Sequence, residues 1–162
     1  MKFLTDLMLG RLTRFLRIFS YDTVYAKDLE SSDGIPVLDE ELVKFANKED
    51  RIILTKDKLL SRKAAPNSLF LEGENVYYYL KQIKIRFKND FEYKAEKARC
   101  SVCNHTLIKI KNKEDVKDLV KEGTYDHINE FFQCSNRTCN KIYWYGTHIE
   151  DILRKIKKIE IE

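Results

Sequence analysis

The sequence is poor in residues that interrupt helices and strands, with only five glycines and two prolines among 162 residues. It contains no internal repeat and no low-complexity segment. No apolar run approaches the roughly 18 residues that a membrane-spanning helix needs. An acid, Asp6, interrupts the amino-terminal segment, where a signal peptide would carry its apolar core. We therefore expect a cytoplasmic protein without membrane contact.

Charge is abundant in this chain. Charged residues make up 35% and hydrophobic residues 43%, which is enough apolar material for a buried core and argues against a disordered chain. The many lysine, glutamate and isoleucine residues are typical of a heat-adapted protein with surface ion networks and short loops, although a lysine-rich mesophilic protein has the same pattern. The net charge of +4 is compatible with a nucleic-acid partner but does not identify one.

Strand-like and helix-like segments alternate through the first half of the chain. Strands are predicted at residues 1–5, 23–26, 51–55 and 69–71, and the segments between and after them have helical spacing of apolar residues. This alternation implies right-handed crossovers and a parallel sheet. The continuous apolar run of Ile52, Ile53 and Leu54 suits a sheet that is covered on both faces. The predicted fold class is therefore α/β, with a doubly wound parallel sheet.

The pattern of predicted elements changes after a charged linker at residues 88–99. Short aromatic strands are predicted at residues 130–133 and 142–145, with one helix at 114–122 between the cysteine pairs. The tail is a predicted helix whose docking face is formed by four isoleucines: Ile149, Ile152, Ile156 and Ile159. We predict an α/β domain at residues 1–90, a small module at 96–148 and a carboxyl-terminal helix at 149–162.

All four cysteines lie in the small module as two close pairs, Cys100 with Cys103 and Cys134 with Cys139. Thiolates separated by two to four residues can occupy adjacent corners of a tetrahedron, so the pairs predict a four-cysteine zinc ribbon. Disulfides are disfavoured without a secretion signal. Since four cysteines leave no open coordination position, the zinc is expected to be structural. The wider spacing of the second pair leaves an alternative in which one histidine replaces a cysteine: His105, His127 or His148.

Three acidic positions fall at the predicted carboxyl edge of the parallel sheet, where ligands collect in doubly wound folds. Asp6 and Asp57 each follow a strand, and Asp39 opens a helix that should start at the same edge. Carboxylate oxygens are the ligands that Mg2+ and Mn2+ prefer, and a pair of such ions can hydrolyse phosphodiesters. The alternative is that these acids only cap helices and complement their dipoles.

The order of short motifs along the chain resembles that of a known family. The motifs are residues 3–6 (FLTD), 8–12 (MLGRL), 14–17 (RFLR), 21–23 (YDT), 39–42 (DEEL), 51–57 (RIILTKD), 143–144 (YW) and 146–148 (GTH). Together they resemble the Mut-seven carboxy-terminal RNase family, which joins a PIN-like nuclease fold to a zinc ribbon. The resemblance implies metal-dependent RNA cleavage, with Asp6, Asp39 and Asp57 matching the acidic positions of PIN-like nucleases. Glu40 or Glu41 could take the middle place, because a long loop precedes Asp39.

Basic residues supply candidate contacts to a nucleic acid. Arg11, Arg14 and Arg17 recur every three residues along the first predicted helix, where they would meet RNA phosphates or form a solvated face. Lys56 could neutralise charge at a scissile phosphate or pair with Asp57. The predicted ribbon adds further basic and aromatic residues: Lys109, Lys111, Lys113, Tyr143, Trp144 and Tyr145. These could stack unpaired bases or pack the ribbon against the first domain.

The favoured hypothesis is a ribonuclease that hydrolyses RNA phosphodiester bonds endonucleolytically, with catalytic Mg2+ or Mn2+ and a structural zinc ion. One alternative is a non-catalytic RNA-binding or adaptor protein that uses the ribbon and the basic helix. A second is a phosphoryl-transfer or receiver-like domain. Such domains also carry acids at strand ends beside residues like Thr55 and Lys56 of this chain. RNA is the expected partner, and self-association into a homo-oligomer is left open.

Overall fold

The structure, a computed structural model, describes residues 1–88 and 90–161, and for residues 159–161 the backbone alone. A parallel four-stranded sheet is followed by a small antiparallel one. The elements in chain order are β1 (Lys2–Thr5), α1 (Gly10–Ile18), β2 (Asp22–Tyr25), α2 (Asp39–Lys48), β3 (Ile52–Thr55), α3 (Lys58–Lys63), β4 (Ser68–Phe70), α4 (Val76–Phe87), β5 (Leu107–Lys109), α5 (Glu122–His127), β6 (Phe131–Cys134), β7 (Ile142–Trp144) and α6 (Thr147–Ile161). Within the described residues, no helix is long and apolar enough to cross a membrane.

The first sheet has the strand order β2-β1-β3-β4, and all its neighbouring strands are parallel. Successive strand residues point to opposite faces. In β1, Phe3 therefore packs into one hydrophobic core and Leu4 into the other. Helices α1, α4 and α6 contribute to the first core, whereas α2 and α3 contribute to the second. This arrangement confirms the predicted α/β class with a parallel sheet covered on both faces.

Helix α6 returns from the cysteine module to the parallel sheet. Ile152 and Ile156 are 1% and 8% exposed and belong to the same core as α1 and α4, and Ile149 packs against that core. Full burial of such a side chain contributes about 1.5–3 kcal/mol, so the stripe helps to hold the helix against the sheet. The predicted docking face is confirmed for these three isoleucines, while the side chain of Ile159 lies outside the described residues.

The cysteine module contains the second sheet, with the antiparallel order β5-β6-β7. The two predicted aromatic strands correspond to β6 and β7. The helix predicted at residues 114–122 is wrong, because the chain forms a 3-10 turn at Lys113–Val116 and begins α5 only at Glu122. Val116 is fully buried there but Leu119 is 61% exposed, so a longer helix would have no apolar face to bury. Of the alternating lysines, Lys109 alone lies on a strand.

Candidate active site and candidate zinc centre

Asp6 stands at the carboxyl end of β1, where the chain leaves the parallel sheet. Its backbone N–H donates to the Leu54 carbonyl of the neighbouring strand at 3.2 Å, and its Oδ1 accepts from the Met8 N–H at 2.9 Å. The carboxylate therefore caps the 3-10 turn Leu7–Leu9 that leads into α1. At 7% exposure Asp6 is the most buried acid of the three candidates.

Thr55, the last residue of β3, connects Asp6 to Asp57. Its hydroxyl donates to Asp6 Oδ2 and accepts from the Asp57 N–H at 2.8 Å. The Lys56 N–H also donates to Asp6 Oδ2, at 3.1 Å. Three donors from two segments thus fix the orientation of the Asp6 carboxylate. The Thr55 hydroxyl as the link between the two acids is a feature that sequence reasoning missed.

Asp57 caps the amino end of α3. Its Oδ1 accepts from the backbone N–H groups of Leu59 and Leu60 at 2.6 Å and 3.2 Å. This is the helix-capping role that the sequence left open for this acid. Both of these hydrogen bonds end on Oδ1, and neither uses the second carboxylate oxygen, Oδ2. Asp57 can therefore cap α3 through one oxygen while it presents the other.

Asp39 is the first residue of α2, and its carboxylate pairs with Lys63 at 3.3 Å. The same ammonium donates to Glu40 at 2.7 Å, and this hydrogen bond lowers the pKa of Glu40 below its ordinary value. In the part of the chain that the structure describes, the four cysteines are the only group of three or more potential ligands whose ligand atoms are gathered together. Asp6, Asp39 and Asp57 are thus not gathered around one point.

The three arginines of α1 have different environments. Arg11 and Arg14 are exposed, whereas Arg17 is 2% exposed. The Arg17 guanidinium pairs with Asp28 at 2.7 Å and donates to the carbonyls of three residues: Thr23, Ser101 and Val102. This differs from the expected phosphate contact, because every acceptor of Arg17 belongs to the protein. Arg17 instead joins the parallel sheet to the first cysteine pair.

Lys56 points toward α4. Its ammonium lies 6.0 Å from the centroid of the Tyr79 ring, and the side chain is half-buried. This is within the distance at which a cation is attracted to an aromatic face. The Lys56 backbone N–H thus holds Asp6, while the Lys56 ammonium lies over the Tyr79 ring.

The four cysteine sulfur atoms lie within 4.8 Å of one another. Cys100 and Cys139 are separated by 3.7 Å between sulfurs, and Cys103 and Cys134 by 3.3 Å. All four are free thiols rather than disulfides. A tetrahedron with Zn–S bonds of about 2.3 Å has edges of about 3.8 Å, so the cluster fits a zinc ion. These side chains could hold zinc without a histidine.

The Tyr143 hydroxyl lies beside the cluster, whereas the sequence had indicated only base stacking or domain packing for this residue. It contacts Cys100 Sγ at 3.1 Å and accepts from the Ser101 N–H at 3.0 Å. Although burial opposes the change, hydrogen bonds from Tyr143 and from backbone N–H groups lower the pKa of the Cys100 thiol to about 6. Zinc is bound by thiolates, so this environment favours the ligand form of Cys100.

Each cysteine pair ends in an asparagine with a left-handed backbone. Asn104 has φ 65° and Asn140 has φ 48°, and asparagine tolerates this region better than most residues. The Asn140 N–H donates to the Asn136 carbonyl at 3.0 Å, and the Asn136 side chain accepts from the Thr138 N–H at 3.0 Å. These bonds close the wider second turn. The sequence signal for this left-handed residue is the Cys-Asn dipeptide with which both pairs end.

The histidines have other contacts. His105 Nδ1 lies 3.0 Å from the Cys103 carbonyl, and His127 Nδ1 lies 2.7 Å from the Gly123 carbonyl. His148 is exposed at the start of α6. Within the described residues, none of the three joins the gathered sulfur atoms. The geometry therefore favours the all-cysteine site over the alternative with a histidine.

A family model described as the Mut7-C RNAse domain matches residues 1–156. The match includes the parallel sheet, both cysteine pairs and the first part of α6. No curated protein and no solved structure matches the chain. The family match confirms the resemblance that the sequence motifs indicated.

Proposed function

The chain belongs to the Mut7-C RNase domain family, and on that premise we propose that it is a metal-dependent endoribonuclease with a PIN-like fold. The observation that carries the proposal is the buried Asp6 at the edge of the parallel sheet, joined through Thr55 to Asp57. Asp6, Asp57 and Asp39 are the proposed catalytic acids, and the proposed substrate is single-stranded or structured RNA.

The donor chemistry of the three acids suits Mg2+ or Mn2+. Mg2+ takes oxygen ligands and keeps several of its waters, so carboxylates can hold it partly through water without all touching it. A bound divalent ion would supply a nucleophilic hydroxide and stabilise the leaving oxygen. The residues of this chain contribute in separate ways: Thr55 orients Asp6, and the Lys56 N–H holds the same carboxylate. Lys63 pairs with one oxygen of Asp39, so that acid would act through its other oxygen or after this exposed pair opens.

The zinc ion proposed for the four cysteines is structural. An all-cysteine site leaves no position for water or substrate. The module around it buries few large side chains, so metal binding of about 10–16 kcal/mol would contribute much of its folding free energy. Zinc would thereby hold the first cysteine pair against Arg17 and β2.

Cleavage of labelled RNA tests the proposal. The 162-residue protein is incubated with single-stranded RNA, structured RNA and DNA, with Mn2+, with Mg2+ and without added divalent ion. Asp6→Asn and Asp57→Asn are the test variants, and Asp118→Asn, an exposed acid of the cysteine module, is the matched control. We expect RNA cleavage only with added metal, lost in both test variants and retained in the control. Equal cleavage by wild type and Asp6→Asn would identify a contaminating nuclease and contradict the proposal.

A second candidate is an RNA-binding adaptor without catalysis. The observation that favours it is the use of Asp6 and Asp57 as caps, which would suffice to explain both acids. This candidate predicts that wild type binds RNA without cutting it under every metal condition. It also predicts that Asp57→Asn changes the stability of α3 but not RNA binding.

A further inference from the structure

A groove of about 920 Å³ runs between α1, the cysteine module and the start of α6. Its charged lining comes from both parts of the chain: Arg11, Arg14, Arg99 and Lys141. The lining contains no aspartate or glutamate among the described residues, although 26 of the 162 residues are acidic. A concave surface with cations and no carboxylate is complementary to a polyanion.

Two of the three arginines of α1, Arg11 and Arg14, are free to bind an anion. Both are exposed, and within the described residues neither forms an ion pair, unlike Arg17. The Arg11 guanidinium lies 5.7 Å from the centroid of the Phe15 ring, which fixes its stem against the helix. Because α1 rises 1.5 Å per residue, Arg11 and Arg14 stand about 5 Å apart along its axis.

Trp144 of β7 supplies an aromatic surface in the same groove. It is 37% exposed, and its ring packs edge-on against Phe131 at 6.1 Å between centroids. The absence of a side chain at Gly146 lets the indole approach closely, since a Cβ there would lie 3.1 Å from Trp144 Nε1. The ring is thus held from two sides while part of it faces the groove. A rigid, partly exposed indole is suited to stacking with an unpaired base.

A short stretch of chain connects one end of the groove to the candidate active site. Gly10 lines the groove and begins α1, and only the 3-10 turn Leu7–Leu9 separates it from Asp6. The Leu9 N–H donates to the Asp6 carbonyl at 3.1 Å, which keeps this connection short. A strand that passes over Arg14 and then Arg11 therefore approaches Asp6.

From these observations we infer that the groove binds single-stranded RNA, with phosphates at Arg11 and Arg14 and an unpaired base stacked on Trp144. The bases of a duplex are stacked on each other and offer no free face, so a duplex would lack the contact with Trp144. The inference rests on the proposed function, because RNA is taken as the substrate of the site at Asp6. To that function it adds the path that the substrate takes across the protein and the requirement that the RNA be single-stranded.

Trp144 is the single tryptophan of the chain, so intrinsic tryptophan fluorescence reports on this position alone. Labelled single-stranded RNA of about 12 nucleotides is titrated into the zinc-loaded protein without added Mg2+ or Mn2+. We expect quenching of the Trp144 emission in parallel with the rise in RNA anisotropy. Duplex RNA should bind more weakly and leave the emission unchanged. Binding of single strands without quenching, or equal quenching by duplex RNA, would overturn the inference.

Variants locate the binding surface. Trp144→Ala should weaken binding about tenfold or more, and Trp144→Phe should retain most of it. Arg11→Ala with Arg14→Ala should reduce the slope of log affinity against log salt by about 0.7 for each phosphate that is no longer neutralised. The matched controls are Tyr78→Ala, an exposed aromatic on α4, and Arg62→Ala on α3, across the parallel sheet. Circular dichroism verifies that every variant is folded.

The outcomes separate this inference from the proposed function. If wild type cleaves RNA but the groove variants bind and cleave like wild type, the groove assignment is wrong and the nuclease stands. If the groove variants lose binding but wild type never cleaves, the groove stands and the nuclease proposal fails. Loss of binding in the control variants as well would mean that RNA binds a diffuse basic surface. That result would overturn the assignment of the groove as the binding site.

Discussion

The side-chain amide of Asn104 donates a hydrogen bond to Asp22 Oδ1 at 2.8 Å, across 82 residues of sequence. Its oxygen accepts from the Thr23 N–H at 3.1 Å, so Asn104 uses both ends of its amide on the edge strand β2. Arg51 donates to the same Asp22 oxygen at 2.8 Å. The residue after Cys103 thereby attaches the candidate zinc centre to the parallel sheet and covers an open strand edge.

The Asp22 carboxylate should make the stability of the protein depend on pH. Burial opposes ionisation, but the hydrogen bonds from Arg51 and Asn104 lower the pKa of Asp22 below its ordinary value of 3.8. Its contribution is therefore fully present above that value and is lost as pH falls through the lower pKa of the folded state. We expect the difference in unfolding free energy between wild type and Asp22→Asn to become smaller as the pH falls below 3.8. Urea unfolding of both proteins at each pH measures this, and a constant difference would contradict it.

Much of the fold follows from local patterns in the sequence. The apolar run at β3 and the helical spacing of Leu12, Phe15 and Leu16 were sufficient to predict a parallel sheet with flanking helices. The two cysteine pairs were sufficient to predict a shared site, because thiols at that spacing have few other uses in a small module. The helix expected at residues 114–122 failed because helical propensity there has no burial to support it.

The candidate site depended on features that a sequence does not display. Arginines three residues apart differ by about 60° around a helix, so Arg11 and Arg17 face directions about 120° apart. Arg17 turned out to face the cysteine module, which no local pattern indicates. Strand order places Asp6 and Asp57 just after adjacent strands, but whether Asp39 joins them depends on its pairing with Lys63, a contact between distant segments.

Thr55→Val should lower RNA cleavage about 10–100-fold while the protein stays folded. Valine matches the shape of threonine but removes the hydroxyl that orients Asp6, and removal of such a supporting hydrogen bond has effects of this size. The matched control is Thr5→Val. Thr5 is equally buried, but its hydroxyl contacts Thr13 and the Val24 carbonyl rather than an acid. Initial cleavage rates with saturating Mn2+ measure the effect, and an equal decrease in both variants would mean a general packing defect.

Tyr143→Phe should weaken zinc binding about tenfold or more without changing its stoichiometry of one ion per chain. The variant removes the hydroxyl beside Cys100 Sγ and the acceptor of the Ser101 N–H, and removal of a hydrogen bond behind a metal ligand typically has this effect. Competition with a chromophoric chelator measures the affinity. Tyr145→Phe serves as the control, because Tyr145 packs on Tyr93 instead. Unchanged affinity in Tyr143→Phe would show that the hydroxyl does not support the site.

Gly146→Ala should displace the Trp144 ring and weaken RNA binding. An added Cβ would lie 3.1 Å and 3.2 Å from two indole atoms, closer than ordinary packing contacts, so the ring must shift from its position against Phe131 and Gly146. We expect a shifted tryptophan emission and greater quenching by acrylamide. The affinity for RNA should fall by up to about tenfold, the decrease expected when the indole is removed. Gly123→Ala is the control, since a Cβ there meets nothing within 4 Å. If the emission shifts but affinity does not change, the position of the indole is irrelevant to the bound RNA.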